Sequence, residues 1–465
     1  MKESEEIEIL HSKKNMLSFG FGGFAREFIS MAFNTFVFFF YENEVKLDVW
    51  LVGIAYIIFA IYNMFNDPML GWLTNRPFKF TKKWGRRFPW LLIGGLPWGF
   101  TYVMIFTPPI VSGSMGPLVL FIWLLVTICL FDTFHSLYFV NFSALFADKF
   151  RSVKERRTAS GIEIAISVVG VALGAMLPPL FVAEGVISSY TIQGMVVFLV
   201  CFIGMLLAIP GFKEDKELIE RYLKKQEEKR EKLKFFHSLK TALKQKSFLA
   251  FIIVYTMYQT LVVCMTNSIP YTVQYILGMP LSTTTIIFAG FLIGVLIATP
   301  IWVFASHKTN DNRKLMIITG LLMVLTTAPL MFVGSLTLTI IVMVFWGMAQ
   351  GGFWFLIFPV LSDTIDDSVV LTGERREGIY TGFQQFFGRI GIVIQALTFA
   401  IAHELTGYVE GAATQTPLAI WGIRVHLALA PMLFILFGTL IFWKFYKLTP
   451  DKVRENKIKI KDLGL

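Results

Sequence analysis

The chain is poor in cysteine and lacks the short motifs of common enzymes. Only three cysteines, Cys129, Cys201 and Cys264, occur among its 465 residues, and their spacing suits neither a disulfide framework nor a metal site. No HExxH, GxSxG or Walker-type pattern is present, so the usual signatures of metal-dependent, serine and nucleotide-dependent enzymes are missing. An enzyme, including one that acts on a lipid-linked sugar, is therefore not expected, and no cofactor is predicted.

An apolar leader is also missing near the start of the chain. Residues 1–16 are rich in charged side chains and contain no long apolar stretch, so no cleavable signal peptide is expected. The remaining sequence is strongly apolar, with 55% hydrophobic and 15% aromatic residues and a mean hydropathy of +0.63. These values exceed those of ordinary soluble domains and indicate a polytopic membrane protein.

Apolar segments set the predicted domain organisation. Twelve of them approach the roughly 20 residues that an α-helix needs to cross a bilayer, so we predict an all-α polytopic membrane protein with twelve transmembrane helices. The predicted spans are 17–41, 49–74, 88–108, 117–146, 159–183, 191–211, 248–275, 283–306, 315–333, 337–361, 379–404 and 423–446. The predicted parts are an amino-terminal segment 1–16, a six-helix bundle 17–211, a linker 212–247, a second six-helix bundle 248–446 and a tail 447–465.

The positive charges predict the orientation of these spans. If the amino terminus is cytoplasmic, all but four of the 42 Lys and Arg residues lie in cytoplasmic segments, as the positive-inside rule requires. Both termini and the linker are then cytoplasmic, and the cell membrane is the expected location. This asymmetry explains the formal net charge of +10, so no nucleic-acid partner is expected.

A polar cluster in the second predicted span is the first candidate site. Asn63, Asn66 and Asp67 are spaced so that a helix places all three on one face. A carboxylate at membrane depth costs about 3 kcal/mol or more, and it usually faces a partner or a permeant ion. We therefore predict a cation site at Asp67, assisted by Asn63, Asn66 and Glu27. The alternative is a buried charge that a neighbouring arginine neutralises.

Further charged residues lie inside the predicted spans. They are Arg26, Glu27, Asp132, Glu163 and Arg389. Together with Asp67 they have a net negative charge if all are ionised. A bound cation or a proton can neutralise this charge, so coupling to Na⁺ or H⁺ is expected. Asp132 and Arg389 are predicted to bind the substrate and to pair with each other when it is absent; a permanent structural ion pair is the alternative. His135 is either a proton relay or a hydrogen-bonded filler.

The two halves of the chain have similar sequence patterns at the predicted cytoplasmic ends of spans four and ten. Span four ends near Asp148 and span ten near Asp363, and each aspartate is followed by an arginine pair before the next span. Such recurrence is expected for parallel six-helix repeats. The predicted gating residues are Asp148, Asp363, Arg86, Arg87, Arg156, Arg375 and Glu163. Simple interactions between charges and helix ends are the alternative.

Several stretches resemble the glycoside-pentoside-hexuronide:cation symporter family, the melibiose permease-like branch of the major facilitator superfamily. They are residues 19–27 (FGFGGFARE), 66–72 (NDPMLGW), 84–90 (WGRRFPW), 143–145 (SAL), 363–367 (DTIDD) and 372–378 (TGERREG). The resemblance covers the first 160 residues and residues 351–408. It implies the major facilitator fold of two six-helix bundles, alternating access, and a cation site between spans two and four.

The sequence departs from the family pattern at the implied cation site. The family usually has two acids four residues apart in span two, whereas here the first position is Asn63 and only Asp67 keeps a carboxylate. By the same resemblance, Tyr138 occupies a family aspartate position, Glu163 a family arginine position and Arg389 a family lysine position. One negative charge is therefore missing from the implied ion site.

The predicted cargo is a glycoside or a similar small polar solute, carried by symport. The predicted substrate residues are Asp132, Arg389, Arg26, Tyr138, Asn141, Gln385 and Trp354, which offer charges, hydrogen bonds and an aromatic surface. The chain has 47 Phe residues, and a Phe-lined cavity would suit an amphiphile, so a sodium-dependent lysophospholipid symporter of the same superfamily is the alternative. A sensor of this fold that does not transport is a third possibility. The bilayer is the only other partner expected, and the protein is predicted to act as a monomer.

Overall fold

The protein folds into two compact helical units, Met1–Glu231 and Lys232–Leu465, in a computed structural model. The structure describes residues 11–74, 78–110, 113, 115–150, 153–215, 219, 244–372 and 377–462. Within these ranges the regular structure is helical and contains no β-strand. The all-α class predicted from the sequence is therefore confirmed. The predicted gating residue Arg375 lies outside the described residues.

The described residues of the first unit form six long helices. They are α1 (Lys13–Phe39), α2 (Val49–Thr74), α3 (Phe88–Ile105), α4 (Gly116–Lys149), α5 (Val153–Met176) and α6 (Ile187–Phe212). A π-helical turn, Phe40–Glu44, continues α1, and a single helical turn, Thr81–Trp84, precedes α3.

The second unit contains further long helices, and two of its predicted spans are divided. The helices are α7 (Lys246–Tyr271), α8 (Thr284–Thr309), α9 (Asn312–Thr327), α10 (Leu336–Thr372), α11 (Glu377–Gly388), α12 (Ile390–Thr406), α13 (Pro417–Arg424), α14 (Ala430–Phe445) and α15 (Pro450–Asp462). Arg389 separates α11 from α12, and the π-helical segment Val425–Leu429 joins α13 to α14. A second π-helical segment, Thr272–Ile276, continues α7.

Eleven helical segments in the described ranges are long and apolar enough to cross a bilayer. They match predicted spans two to twelve. The first predicted span corresponds to α1, whose 27 residues also exceed the roughly 20 that a span needs. Its lower apolar content has a clear cause, because it carries Lys13, Lys14, Arg26 and Glu27.

Glycines allow the helices of the second unit to approach closely. Gly290 and Gly294 on α8 face α10, and a Cβ atom added at Gly294 would collide with the backbone carbonyl of Val344. In return, Gly347 on α10 lies against the carbonyl of Phe291. These glycines follow the small-xxx-small spacing that lets membrane helices pack backbone to backbone.

The first unit uses the same device between α1 and α5. Gly170 and Gly174 lie against the carbonyl groups of Phe24 and Phe28, so neither position has room for a Cβ atom. This close approach brings the polar side chains of the two helices together inside the unit.

The side chain of Glu214, which follows the end of α6, caps the amino terminus of α3. Glu214 Oε1 accepts hydrogen bonds from the backbone nitrogens of Arg87, at 2.5 Å, and Phe88, at 3.0 Å. These amides have no partner within the helix, and a negative charge at a helix amino terminus is favourable. The adjacent Gly85 has φ 90°, a left-handed conformation that glycine adopts without strain.

Replacing Glu214 with alanine is expected to destabilise the first unit, because the amides at the start of α3 lose their acceptor. Loss of a helix cap costs about 1 kcal/mol, which lowers the melting temperature by roughly 2–4 °C for a unit of this size. Thermal unfolding of the purified protein measures the change. Lys14→Ala, which removes an exposed charged side chain from the same unit, is the control and should leave the melting temperature unchanged. An equal shift in both variants would contradict the capping role.

Candidate functional site

The buried carboxylate of Asp132 on α4 forms the centre of a polar cluster in the first unit. Its Oδ1 accepts a hydrogen bond from Asn63 Nδ2 at 2.5 Å, and its Oδ2 accepts one from Asn66 Nδ2 at 3.1 Å. Ser136 Oγ lies 3.5 Å from the same Oδ2. All four residues are at most 3% exposed. Helices α2 and α4 thus enclose one carboxylate, two amides and a hydroxyl.

This arrangement differs from the cluster that the sequence predicts around Asp67. The asparagines share a helical face as expected, but that face points to Asp132, and their amide nitrogens bond its carboxylate. Asp67 is half-buried and follows Asn66 directly, so it projects about 100° away from it around α2. The helical periodicity identified the two asparagines, but only the packing of α2 against α4 reveals which carboxylate they meet.

The Asn63 amide is only partly satisfied. Its nitrogen bonds Asp132, but its buried Oδ1 has no hydrogen-bond partner in the described part of the chain. A buried carbonyl oxygen without a partner is costly and calls for an explanation, such as a bound ion. The cluster therefore places a carboxylate and an amide carbonyl oxygen close together in a buried position. Hard cations prefer oxygen ligands of these two kinds.

Two further contacts surround the Asp132 cluster. Tyr62 Oη lies 2.7 Å from Thr133 Oγ1 and forms a second link between α2 and α4. His135 Nδ1 lies 3.8 Å from Asp132 Oδ1, and its ring centroid is 5.1 Å from that of Trp98. His135 thus lies beside the carboxylate at a distance longer than a hydrogen bond, and both of its predicted roles stay predictions.

A second charged cluster joins α1 and α5. Arg26 Nη2 lies 2.6 Å from Glu27 Oε1 and 3.6 Å from Glu163 Oε1, and Ser167 Oγ donates to the same Glu163 oxygen at 3.1 Å. The guanidinium also lies within 5.5 Å of the ring centroids of Phe139 and Phe142 on α4. One cation is therefore held by two carboxylates and by aromatic side chains.

These contacts revise two expectations from the sequence. Glu27, a predicted member of the cation site, is paired with Arg26. Glu163, a predicted gating residue, pairs with Arg26. Gly23 on α1 makes the second contact possible, because a Cβ atom there would collide with Ser167 and the Glu163 carboxylate.

Two predicted substrate residues have structural contacts instead. Tyr138 is fully buried and packs against Trp98 and Phe142, with ring centroids 5.9 and 5.5 Å apart. Asn141 is also fully buried; its Oδ1 accepts from Arg87 Nη1 at 3.1 Å, and its Nδ2 donates to the Leu137 carbonyl at 2.7 Å. Both side chains are enclosed within the first unit, and their contact with the cargo stays a prediction.

In the second unit, Arg389 lies at the break between α11 and α12. Its backbone nitrogen donates to the carbonyl of the predicted substrate residue Gln385 at 3.3 Å. Trp354 on α10 is 43% exposed, whereas Gln350 on the same helix is buried and donates to Tyr258 Oη at 3.0 Å. Arg389 and Asp132 belong to different units, and their pairing stays a prediction.

The predicted gating residues of the first unit have specific partners. Arg86 Nη2 forms an ion pair with Asp148 Oδ2 at 3.0 Å, and Arg156 Nε donates to the Phe150 carbonyl at 3.1 Å. In the second unit, the predicted counterpart of Asp148 is Asp363, which accepts from Asn312 Nδ2 at 2.8 Å. An aspartate at the same relative position is thus held by an arginine in one unit and by an amide in the other.

A buried lysine ties the end of α4 to the end of α6. Lys149 Nζ donates to the carbonyl oxygens of Gly211 and Lys213 at 2.6 and 2.9 Å. Burial lowers the pKa of this lysine to about 8, while the carboxylates of Asp215 and Glu214 act in the opposite direction. Nearby, His11 lies 2.7 Å from both Glu155 and Asp215.

The sequence reasoning did not identify Ser136 as part of the cluster. It lies four residues after Asp132, so helical spacing could have placed the two on one face. Tyr62 and Thr133 carry no comparable signal, because a hydroxyl in an apolar helix often bonds its own backbone.

A family model described as MFS/sugar transport protein matches residues 18–450. The sodium-dependent lysophosphatidylcholine symporter 1 of Gallus gallus is 22% identical, over 99% of this chain and 91% of that protein. The isoprimeverose transporter of Lactiplantibacillus pentosus is 23% identical, over 98% of this chain and 94% of that protein.

A solved structure shares the fold at low sequence identity. It comes from work on the selectivity mechanism of a bacterial homologue of the human drug peptide transporters PepT1 and PepT2. The match has a TM-score of 0.61 at 9% identity and covers 97% of this chain and 99% of the solved one. It supports the same helical architecture.

Proposed function

Because the chain belongs to the MFS/sugar transport protein family, we propose that it is a cation-coupled symporter of a glycoside or a similar small polar solute. The protein is an integral membrane protein, and we place it in the cell membrane with both termini in the cytoplasm. The observation that carries the coupling proposal is the buried cluster of Asn63, Asn66, Asp132 and Ser136 in the first unit.

The coupling cation binds at Asp132 in this proposal. The carboxylate supplies the negative charge. If the side-chain amide of Asn63 or Asn66 rotates by about 180°, its carbonyl oxygen takes the position where its NH₂ group now points. The amides therefore donate to Asp132 in one arrangement and ligate a cation in the other. Asp67, one residue beyond Asn66, adds negative charge to the same region of α2 and remains a proposed member of the site.

Sodium suits this donor set better than a proton alone. Carboxylate, amide and hydroxyl oxygens are hard ligands for hard cations. Protonation of Asp132 would neutralise the charge without using the Asn63 oxygen, and His135 lies close enough to influence that proton. Sodium or proton binding at Asp132 would each link ion occupancy to the packing of α2 against α4.

The cargo is proposed to meet charged residues of the first unit. Arg26, Glu27 and Asp132 are the proposed contacts there, and Arg389 and Gln385 remain predicted substrate residues of the second unit. A sugar fits them because its hydroxyls can accept from guanidinium groups and donate to carboxylates. Binding of cation and cargo to one conformation would then shift the population towards the state that transports.

A lysophospholipid is the second candidate cargo. Its support is the aromatic surrounding of Arg26, whose guanidinium lies beside Phe139 and Phe142. Such a site combines a charge for a polar headgroup with apolar surface for a chain. The similarity to a lysophosphatidylcholine symporter over nearly the whole chain points the same way.

A ligand screen by thermal unfolding would test the proposal. The purified protein is heated with a panel of glycosides and lysophospholipids in sodium, lithium or potassium salts of equal ionic strength. We expect a glycoside to raise the melting temperature, and sodium to increase that rise, because ligands that bind only the folded state stabilise it. Stabilisation by lysophospholipids alone would select the second candidate.

Uptake into vesicles then separates a carrier from a sensor. Vesicles containing the protein should accumulate the identified ligand when a sodium gradient is imposed. Accumulation that ignores both sodium and proton gradients would refute coupling. Binding without counterflow of labelled ligand would identify a non-transporting sensor.

A further inference from the structure

A polar cavity of about 480 Å³ lies in the second unit, between α15 and the connection from α8 to α9. Its lining includes His307 and Asp311 beside that connection, Asp363 on α10, and Arg454 and Lys457 on α15. These residues lie at the ends of the spans that we place in the cytoplasm. Ligand-binding cavities commonly have volumes of about 300–1,000 Å³, so this cavity is large enough for a small ligand or a lipid headgroup.

Contacts with α7 and α10 hold α15 beside this cavity. Asn456 is fully buried, and its Nδ2 donates to Asp367 Oδ1 on α10 at 3.1 Å. Gln245, which precedes α7, donates from its Nε2 to Asp367 Oδ2 at 2.8 Å. Ile460, one turn beyond Asn456 on α15, is also buried. The basic side chains of α15 are therefore carried by a docked helix.

Arg313 on α9 holds the chain segment that leads from α14 to α15. Its Nε donates to the Tyr446 carbonyl at 2.7 Å, and Tyr446 Oη donates to the Val360 carbonyl on α10 at 3.2 Å. The lining residue Leu448 follows in this segment. The wall that α14 and α15 contribute to the cavity is thus fixed by hydrogen bonds to α9 and α10.

Arg454 and Lys457 supply the hydrogen-bond donors of the cavity. They are three residues apart on α15, so they share one helical face. On another face, Lys452 and Lys459 form ion pairs with Glu455 at 3.0 and 2.6 Å. Arg454 and Lys457 form no hydrogen bond or ion pair with the residues that the structure describes. Their guanidinium and ammonium N–H groups are therefore available to a ligand.

The two aspartates in the lining are engaged by the start of α9. Asp311 Oδ1 accepts from the backbone nitrogen of Lys314 at 2.8 Å, and Asp363 Oδ2 accepts from Asn312 Nδ2 at 2.8 Å. Lys457 interacts electrostatically with Asp363, but the two side chains form no hydrogen bond. A ligand with several acceptor oxygens would therefore complement the donors of α15.

The chain around α15 is basic and lies next to exposed aromatic side chains. Residues 444–460 contain six Lys or Arg residues and two acids. A cluster of about four to eight basic residues directly after a membrane span is typical of anionic-lipid binding. Trp443 near the end of α14 is exposed, and so is Phe358, which directly precedes the lining residue Pro359. Because tryptophan is enriched where a membrane meets water, the cavity is expected at the level of the lipid headgroups.

We propose that this cavity binds the phosphate group of an anionic phospholipid in the cytoplasmic leaflet, and that Arg454 and Lys457 are its main contacts. The phosphate oxygens accept hydrogen bonds and carry negative charge, so they match a guanidinium and an ammonium group. The bound lipid joins α15 to the connection between α8 and α9, and it thereby stabilises the second unit. The site goes beyond the transport proposal, because it rests on the membrane placement and not on the cargo or the coupling ion.

Lipid binding and thermal unfolding of the purified full-length protein would test this. The protein in a neutral detergent is mixed with phosphatidylglycerol, with phosphatidylcholine of the same acyl chains, or with inorganic phosphate, at equal ionic strength. Native mass spectrometry measures the lipid that stays bound. We expect phosphatidylglycerol to bind more tightly than phosphatidylcholine and to raise the melting temperature, because it binds the folded state. Stabilisation by inorganic phosphate without binding of phosphatidylglycerol would overturn the lipid as the source of the phosphate group.

Two double variants locate the binding on α15. Arg454→Gln combined with Lys457→Gln removes both proposed contacts, and phosphatidylglycerol should then bind at least about tenfold more weakly, since hydrogen bonds to charged groups are lost. Lys452→Gln combined with Lys459→Gln is the matched control, because it removes the same charge from the same helix at side chains that pair with Glu455. It should weaken binding much less. An equal loss in both double variants would indicate a general attraction of α15 to anionic lipids and would overturn the cavity site, as would unchanged binding in the first.

Discussion

Replacing Asp132 with asparagine is expected to abolish sodium-driven uptake while leaving the protein folded. The substitution removes the only charge of the cluster but keeps its size. Asn63 Oδ1, which has no hydrogen-bond partner among the described residues, offers an acceptor for the new amide, so the buried site can reorganise its hydrogen bonds. Loss of a charged, buried interaction costs about 2–3 kcal/mol, which corresponds to roughly 30- to 150-fold weaker ion binding.

The measurement is the sodium concentration that gives half of the maximal thermal stabilisation, together with uptake driven by a sodium gradient. Asp48→Asn is the matched control, because Asp48 is exposed and caps α2 through bonds to the nitrogens of Trp50 and Leu51. Asparagine caps helices as well as aspartate does, so this variant should behave like the wild type.

Asp67→Asn decides between the two candidate ion ligands. If Asp132 holds the ion, removal of the Asp67 charge should weaken sodium binding less than removal of the Asp132 charge does. If Asp67→Asn reduces the sodium affinity more than Asp132→Asn does, Asp67 is the main ion ligand, as the sequence spacing predicts. Sodium-driven uptake that survives Asp132→Asn at wild-type sodium affinity would refute the role proposed for the buried cluster.

Replacing Gly294 with alanine is expected to destabilise the second unit strongly. The added methyl group would collide with the Val344 carbonyl on α10, and a backbone atom cannot move aside as a flexible side chain can. Overpacking of this kind costs about 1–3 kcal/mol, or roughly 2–4 °C of melting temperature per kcal/mol. Thermal unfolding of the purified protein should show the decrease.

Gly382→Ala is the matched control for this substitution. Gly382 lies in α11 of the same unit, and a Cβ atom added there meets no atom within 4 Å. Alanine favours a helix over glycine by about 1 kcal/mol, so this variant should be as stable as the wild type or more stable. If both alanine variants melt at the wild-type temperature, the close contact of α8 with α10 does not limit stability.

Much of the fold follows from local sequence because membrane-spanning helices obey simple length and polarity rules. Eleven predicted spans are matched by helical segments of suitable length and apolarity, and the family resemblance is confirmed by a family model that matches residues 18–450. The break at Arg389 and the π-helical segment around His426 were not predicted. The break and the π-helical segment each interrupt an apolar stretch whose sequence predicts one continuous helix. Side chains at both places contact other helices.

The candidate site was only partly predictable. Asn63, Asn66 and Asp132 were each identified as polar residues in apolar spans, but the sequence assigned the asparagines to Asp67. Helical spacing relates residues on one helix, and it carries no information about which residue of another helix they will face. For the same reason Glu163 was assigned to a gate, whereas the approach of α5 to α1 at Gly170 and Gly174 brings it to Arg26.

The sequence by itself determined the class of protein, eleven of the twelve predicted membrane-spanning segments and the family, since all three depend on patterns within single segments. Only the tertiary structure decided which charges are paired. It united Asn63 and Asn66 with Asp132, Arg26 with Glu27 and Glu163, and Asn456 with Asp367. The physical reason is that a buried polar group must find its partner wherever the packing of helices places one, and glycines decide how closely those helices approach.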